Sequence, residues 1–284
     1  MNSFIKIPLL KRLIPSIIKK YAFYFSDYER EINHEGILFS LDIRHLIDRT
    51  FYINREYEEQ SFQNLVDVIN DQSSEYFLDV GACWGIYSLR LAKKFDKLKI
   101  KAIDPIKKNI NRINESINKN KFSNIEVFHT AVGDNNGTIL LGSNSDWSPN
   151  YKINEEDTEV TEQSLIKPLD DLFNLKDHKI VMKIDVEGFE FEMLSGAKEI
   201  LTNNKSYLQI EIRYENYDKI EKLLNDDLNT IKMGSPEDLS NFVTAVIHEA
   251  SFDKIVGYIE NAKKNKDIAK IIAPNPGIIV SNTL

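Results

Sequence analysis

From Phe77 to Gly85 the chain reads Phe-Leu-Asp-Val-Gly-Ala-Cys-Trp-Gly, and the next apolar run, Ile100 to Ile103, closes on Asp104. An apolar strand that breaks into Gly-x-x-x-Gly and then a helix brings bare backbone close to a ligand. A carboxylate ending the following strand accepts both hydroxyls of a ribose. The layout suits a nucleoside. Cys83 stands where Gly-x-Gly-x-x-Gly has its middle glycine, which disfavours close approach of a pyrophosphate. S-adenosylmethionine, with a ribose and no phosphate, therefore fits better than NAD.

The 284 residues are enough for one extended domain with additions. A formal net charge of -8 argues against a nucleic-acid partner gripped mainly through phosphates. The single cysteine, Cys83, excludes an intramolecular disulfide framework and fits a reducing, cytoplasmic compartment. No apolar run reaches the length of a membrane span. Met1 to Lys20 differs in kind: Phe4, Ile5, Leu9, Leu10, Leu13, Ile14, Ile17 and Ile18 alternate with Lys6, Lys11, Arg12, Lys19 and Lys20, interrupted by Pro8 and Pro15. It reads first as a helix packed on its own domain. The alternative is a surface segment docking peripherally on the inner face of a membrane or on a partner.

Strand-like and helix-like stretches alternate along the chain, which predicts an α/β fold: a mostly parallel sheet with helices on both faces. Residues 1–75 are expected to form a helical and strand-containing extension packed on a core domain, 76–284, whose C-terminal part is variable. Ile86 to Phe95 reads as a helix, and Ile106, Ile110, Ile113 and Ile117 mark another. Ile125 to Phe128 is a strand, and Asp134-Asn135-Asn136-Gly137 predicts a turn within a short hairpin, Ala131 to Leu141. Gly142 to Gln163 is polar, holds Trp147, and reads as a long loop able to close over a ligand. Ile180 to Ile184 is a buried strand ending at Asp185, followed by a helix carrying Phe191, Leu194, Ala197 and Leu201. Leu208 to Ile212 is a further strand. Ser235-Pro236-Glu237-Asp238 reads as a helix start before the stripe Leu239, Phe242, Val243, Val246 and Ile247, and Gly277 to Ser281 as a closing strand.

Several of these blocks together resemble the FkbM-type methyltransferase family. They are Phe77 to Leu91, Ala131 to Gly137, Pro168-Leu169-Asp170-Asp171-Leu172, and Val181-Met182-Lys183-Ile184-Asp185-Val186-Glu187-Gly188-Phe189-Glu190 with Leu194-Ser195-Gly196-Ala197. The likeness spans roughly Gly36 to Arg213 and includes Arg55-Glu56-Tyr57-Glu58. The Lys-Ile-Asp-Val-Glu-Gly block is its specific part. Two departures stand out: Cys83 replaces an asparagine common in the glycine loop, and Asp104-Pro105 replaces glutamate-proline. Residues beyond Asn225 match poorly.

The resemblance implies a Rossmann-like class I methyltransferase fold, S-adenosylmethionine as donor, and usually O-methylation of sugars or other hydroxylated natural products. On that reading Asp79 orients the donor's ammonium, and Gly81, Ala82, Cys83 and Gly85 let the backbone approach. Asp104 holds the ribose, Pro105 and Ile106 flank the adenine, and Ala131 offers a backbone contact to its edge. Asp185, at a strand end, and Glu187 after it are candidates for the proton removal that methyl transfer to a hydroxyl needs. Asp185 with Glu211 could instead form half of an oxygen-ligand site for a divalent ion such as Mg²⁺, whose remaining ligands the sequence does not name. His34, His45, His129, His178 and His248 show no ligand spacing. Trp147 and Glu211 are placed with the acceptor.

The expected function is thus an S-adenosylmethionine-dependent O-methyltransferase acting on a saccharide or glycan precursor. The alternatives are a lipid-linked, peptide or small natural-product acceptor, or a module that binds the nucleoside without catalysis. Oligomeric state stays open.

Overall fold

The computed structural model describes residues 28–143, 160–212 and 216–224, with short pieces at 16–17, 20–21, 24, 152–153, 233–234 and 243–245. Most of the amphipathic start, Trp147, Ser235 to Asp238, His248 and Gly277 to Ser281 lie outside the described residues. Among those described, no helix is long and apolar enough to cross a membrane. The chain divides into two compact units, the first formed by Met1–Gln60, Ala82–Ala131 and Thr138–Leu165, the second by Ser61–Gly81, Val132–Gly137 and Ile166–Leu284.

In the first unit, β1 (Glu29–His34) and β2 (Ile37–Asp42) pair antiparallel in the register His34 to Ile37. Glu35 and Gly36 join them with positive φ values of 52° and 76°. Positive φ at both central residues is what a two-residue hairpin needs to match the strand twist. Alternate residues of β2, Ile37, Phe39 and Leu41, are buried. Then come α1 (Leu46–Asn54), the glycine loop, α3 (Ile86–Lys94), β4 (Lys99–Asp104), α4 (Lys107–Asn120) and β5 (Ile125–His129), while α2 (Glu59–Gln72) runs from the first unit into the second. Strands β4 and β5 are parallel. The isoleucine stripe does its expected work in α4: Ile110 and Ile113 are buried. Lys121, in the left-handed region, ends the helix.

The second unit is built on parallel strands in the order β12 (Met233–Gly234), β13 (Val243–Ala245), β11 (Lys205–Ile210), β10 (Lys179–Ile184) and β3 (Tyr76–Val80). Every residue of β3 is buried. The expected helical stripe around Val243 is corrected here, because Val243–Ala245 is a strand paired with β11 and its β-branched valine and threonine suit a pleated surface. The helix expected after Asp185 is likewise two short ones, α6 (Glu190–Ser195) and α7 (Lys198–Asn203). A Cβ at Gly196 would lie 1.9 Å from the Gly133 carbonyl oxygen, so the chain must pass this point as glycine. Asp170 of α5 (Leu169–Leu172) caps α7, its two carboxylate oxygens accepting the Glu199 and Ile200 amides at 2.9 Å each.

Two more expectations change. Strands β6 (Ala131–Val132) and β7 (Gly137–Ser143) flank the expected turn but do not form a hairpin, since β9 (Val160–Lys167) lies between them in the order β6-β9-β7-β8, with β8 at Lys152–Ile153. The same strands show that Gly142 to Gln163 is not one structureless loop. Local turn chemistry at Asp134 to Gly137 marked the break between the two strands; which strand filled the gap was a long-range choice.

A charged network ties β2, α1 and α4 together within the first unit. Asp42 receives Arg44 at 2.6 Å, Arg112 at 3.2 Å and Lys108 at 3.3 Å. Asp48, fully buried, accepts the Asp42 amide at 2.6 Å and Arg112 at 2.7 Å through Oδ2. Its Oδ1 lies 3.8 Å from Nδ1 of buried His45, and neither atom has a hydrogen-bond partner. Burial pushes the Asp48 carboxyl up to about 6 despite Arg112. Burial, then Arg112, holds His45 down at about 3. At Asp42 burial is outweighed by the hydrogen bonds and charge of Arg44, aided by Lys108, so that it titrates at about 2.

These directions oppose one another in a defined window. Asp48 keeps a proton in the folded state that the unfolded chain loses, so its stabilising contribution is full below 3.8 and disappears as pH rises through 6. His45 does the reverse: its contribution is full above 6.5 and is lost as pH falls through 3. Between pH 4 and 6 the two nearly cancel, leaving the wild-type stability flat. Asp48→Asn removes one side, and its amide can also donate to His45 Nδ1. Unfolding free energies from urea titrations at pH 4, 5 and 6 should then rise by about 1.4 kcal/mol per pH unit in the variant. A variant profile as flat as wild type would show that the network does not titrate this way.

Candidate active site

Asp104 is the last residue of β4 and is buried, with 4% exposure. Its Oδ2 accepts the Cys83 amide at 2.8 Å, and its Oδ1 accepts the Ile106 amide at 2.8 Å and the Asn109 side-chain amide at 3.0 Å. One carboxylate thereby joins the glycine loop to the start of α4. Asn109 was not anticipated; its position three residues into the helix after Asp104-Pro105 was the available signal.

Around this clasp, Ala82 is buried and its amide donates to the Ile103 carbonyl at 3.0 Å, while the Gly85 amide donates to Ala82 at 2.8 Å. Cys83 is half-buried at φ 51°, a left-handed conformation that a side chain occupies only at a cost of order 1 kcal/mol or more. Gly85 begins α3 at φ 79°, and a Cβ there would stand 3.0 Å from Ile113. Trp84 turns away into an aromatic cluster, with ring centroids 5.3 Å from Phe51, 5.9 Å from Phe39 and 6.5 Å from Tyr57. Beside it, the Tyr87 hydroxyl donates to Glu58 at 2.6 Å. The Tyr57-Glu58 pair noticed in the sequence is thus an anchor for the loop and the helix after it.

Pro105 is half-buried, and its carbonyl lies 2.9 Å from His129 Nε2. Glu162 of β9 accepts the Lys107 amide at 2.7 Å and stands 3.7 Å from the same imidazole nitrogen. Ala131 is buried at the start of β6. Glu162 carried no sequence signal, because its approach to Lys107 joins residues 55 positions apart.

The second unit holds the remaining candidates. Asp79 is buried in β3, with 2% exposure. Gly81, at φ 81°, follows that strand, and a Cβ there would meet the Asp185 carbonyl oxygen at 1.8 Å. The glycine is required by the neighbouring backbone, a stronger constraint than the ligand approach expected of it. Asp185 and Glu211 each stand one residue beyond the ends of the paired strands β10 and β11, whose last residues, Ile184 and Ile210, are in register. The Asp185 side chain is 28% exposed, and Lys183 Nζ donates to its Oδ2 at 3.0 Å. Among the described residues no group of three or more His, Cys, Asp or Glu is placed to hold a metal ion.

Glu187 differs from its expected setting. It is exposed at φ 54° in the turn before α6, which starts only at Glu190, so it does not sit at the helix terminus. Buried Glu190 holds that turn instead: it accepts the Gly188 amide at 2.7 Å and the Asn216 side-chain amide at 3.3 Å, and Asn216 also donates to the Gly188 carbonyl at 2.8 Å. Lys183 and Glu190 were the polar residues to notice in the Lys-Ile-Asp-Val-Glu-Gly-Phe-Glu stretch, since both are polar where the pattern asks for apolar side chains.

Likenesses to solved structures are modest. The chain shows 14% identity and a TM-score of 0.36 to a precorrin-6y C5,15-methyltransferase from Geobacter metallireducens GS-15, covering 60% of this chain and 70% of that one. To Trm5b of Pyrococcus abyssi the values are 16% and 0.38, covering 70% and 47%. To TYW2 of M. jannaschii in complex with AdoMet they are 22% and 0.28, covering 36% and 42%. A mitochondrial delta-1-pyrroline-5-carboxylate dehydrogenase from Dictyostelium discoideum is 36% identical over 89 residues, which cover 31% of this chain and 16% of that protein. The model of the methyltransferase FkbM domain matches residues 79–263, well over half of the chain and spanning both the Asp104 clasp and the Asp185 strand end. The chain belongs to the FkbM methyltransferase domain family.

Proposed function

We propose that this methyltransferase moves the methyl group of S-adenosylmethionine to a hydroxyl oxygen of a saccharide or glycan precursor. Residues 76–284 would carry the chemistry and 1–75 would form an extension to it, in the cytoplasm as the single cysteine suggests. The observation that carries the donor reading is the buried Asp104 carboxylate at the end of a parallel strand, accepting the Cys83 amide of the glycine loop and the Ile106 amide that follows it. Its chemistry suits a ribose, whose hydroxyls a rigid buried carboxylate accepts, and Asp79 is a buried acid of the kind that suits an ammonium. Pro105 and Ala131 would bound the adenine. Trp147 is retained as an acceptor-side residue.

The bound donor supplies an electrophilic methyl on a sulfonium. What the chain must add is orientation and a place for the proton. As the acceptor oxygen forms its bond to the methyl carbon and the carbon–sulfur bond breaks, the hydroxyl proton passes to Asp185. Lys183 on Oδ2 leaves Oδ1 as the oxygen to take it. Glu211 fits the acceptor side, where a carboxylate can accept sugar hydroxyls, and exposed Glu187 is assigned there with it.

Two experiments test this. S-adenosylhomocysteine should raise the melting temperature and NADH should not, since only a ligand that prefers the folded state stabilises it. Asp104→Ala should weaken that binding by about 1–3 kcal/mol. Stabilisation by NADH alone would overturn the donor. For the acceptor, cell-envelope sugars incubated with methyl-labelled donor and screened by mass spectrometry should yield an O-methylated product, and Asp185→Asn should lower its turnover by about 10² or more with donor affinity retained. Wild-type turnover by Asp185→Asn on that acceptor would remove Asp185 from the chemistry.

A further inference from the structure

Across three parallel strands of the second unit, Asp79, Lys183 and Gln209 stand in one register row, Asp79 beside Lys183 and Lys183 beside Gln209. All are buried, at 2%, 8% and 2% exposure. Their strand neighbours Leu78, Val80, Met182, Ile184, Leu208 and Ile210 are apolar and almost wholly inaccessible. Side chains in register on adjacent strands leave the sheet on the same face, about 4.8 Å apart. A polar row through such a sheet costs desolvation free energy that packing alone does not return. It also carries formal charges of both signs that a charged ligand can meet.

We propose that Lys183 is the residue that receives the carboxylate of the donor's amino-acid end, beside the acid, Asp79, that receives its ammonium. This rests on the donor reading above. A zwitterionic head carries both charges on one carbon and calls for an acid and a base side by side, which is what an in-register Asp–Lys pair presents. An ammonium has three donors, so Lys183 can hold Asp185 Oδ2 and a ligand carboxylate together. The charges also balance. Asp79, Lys183 and Asp185 sum to one negative charge, and the donor, with ammonium, sulfonium and carboxylate, to one positive charge. Lys183 would then serve two ends of the reaction, gripping the donor with some of its protons and orienting the Asp185 oxygen with another.

Calorimetry with three probes reads this without any acceptor: S-adenosylmethionine, its decarboxylated form, and 5′-methylthioadenosine, which lacks the whole amino-acid end. Wild-type protein should bind S-adenosylmethionine at least about tenfold more tightly than the decarboxylated sulfonium. Lys183→Met should erase that difference while leaving 5′-methylthioadenosine affinity within about threefold, and Lys183→Arg, which keeps the charge, should restore much of it. Equal wild-type affinity for the first two probes would overturn the proposal even if the methionine variant fails to fold. So would a uniform loss for all three probes in folded Lys183→Met, which is the signature of a purely structural lysine. Failure of wild-type protein to bind any of the three would instead bring down the donor reading itself.

Discussion

One buried carboxylate organises the glycine loop of the first unit. Asp104 accepts the amides of Cys83 and Ile106, so the glycine loop and the start of α4 cannot move independently. Charge-assisted bonds of this kind are stronger than neutral ones, and they are made here away from water. The loop's left-handed residue, Cys83, keeps its strained backbone because its amide is held at one end by Asp104 while the next side chain, Trp84, is anchored among Phe39, Phe51 and Tyr57. The N-terminal hairpin and α1 therefore serve to immobilise a loop.

In the second unit the corresponding constraint is steric. The backbone at Gly81 runs so near the Asp185 carbonyl that a methyl group has no room, and the turn after Asp185 is fastened by Glu190 and Asn216. The proposed role of Asp185 needs this sort of support, because a side chain carried on a mobile turn spends little time in productive geometry. The second acidic residue of the motif, Glu187, is exposed, and the buried Glu190 fastens the turn that carries it.

The sequence patterns were most readable where the chain is repetitive and buried on both sides. The strands from Tyr76, Lys99 and Lys179 and the isoleucine stripe of α4 were visible because periodicity and continuous apolar runs are local properties. Asp104 was visible as a strand-end acid. Asp170, by contrast, belonged to a block that resembled the family and turned out to be a helix cap reaching 29 residues along the chain. The Asp134 to Gly137 turn separates β6 from β7 but does not join them as a hairpin, since local turn chemistry does not choose the partner strand.

What the sequence by itself determined was the parallel α/β class, the strand-end acids Asp79, Asp104 and Asp185, and the family to which those blocks belong. Each depends on spacing along the chain, and spacing survives without coordinates. Only the tertiary structure decided that Gly81 is glycine because of Asp185, that Lys183 lies in register with Asp79, and that buried Asp48 meets Arg112. These are meetings of residues far apart in sequence, fixed by strand register and by the cost of burying polar atoms. That cost is settled only when the whole core has closed.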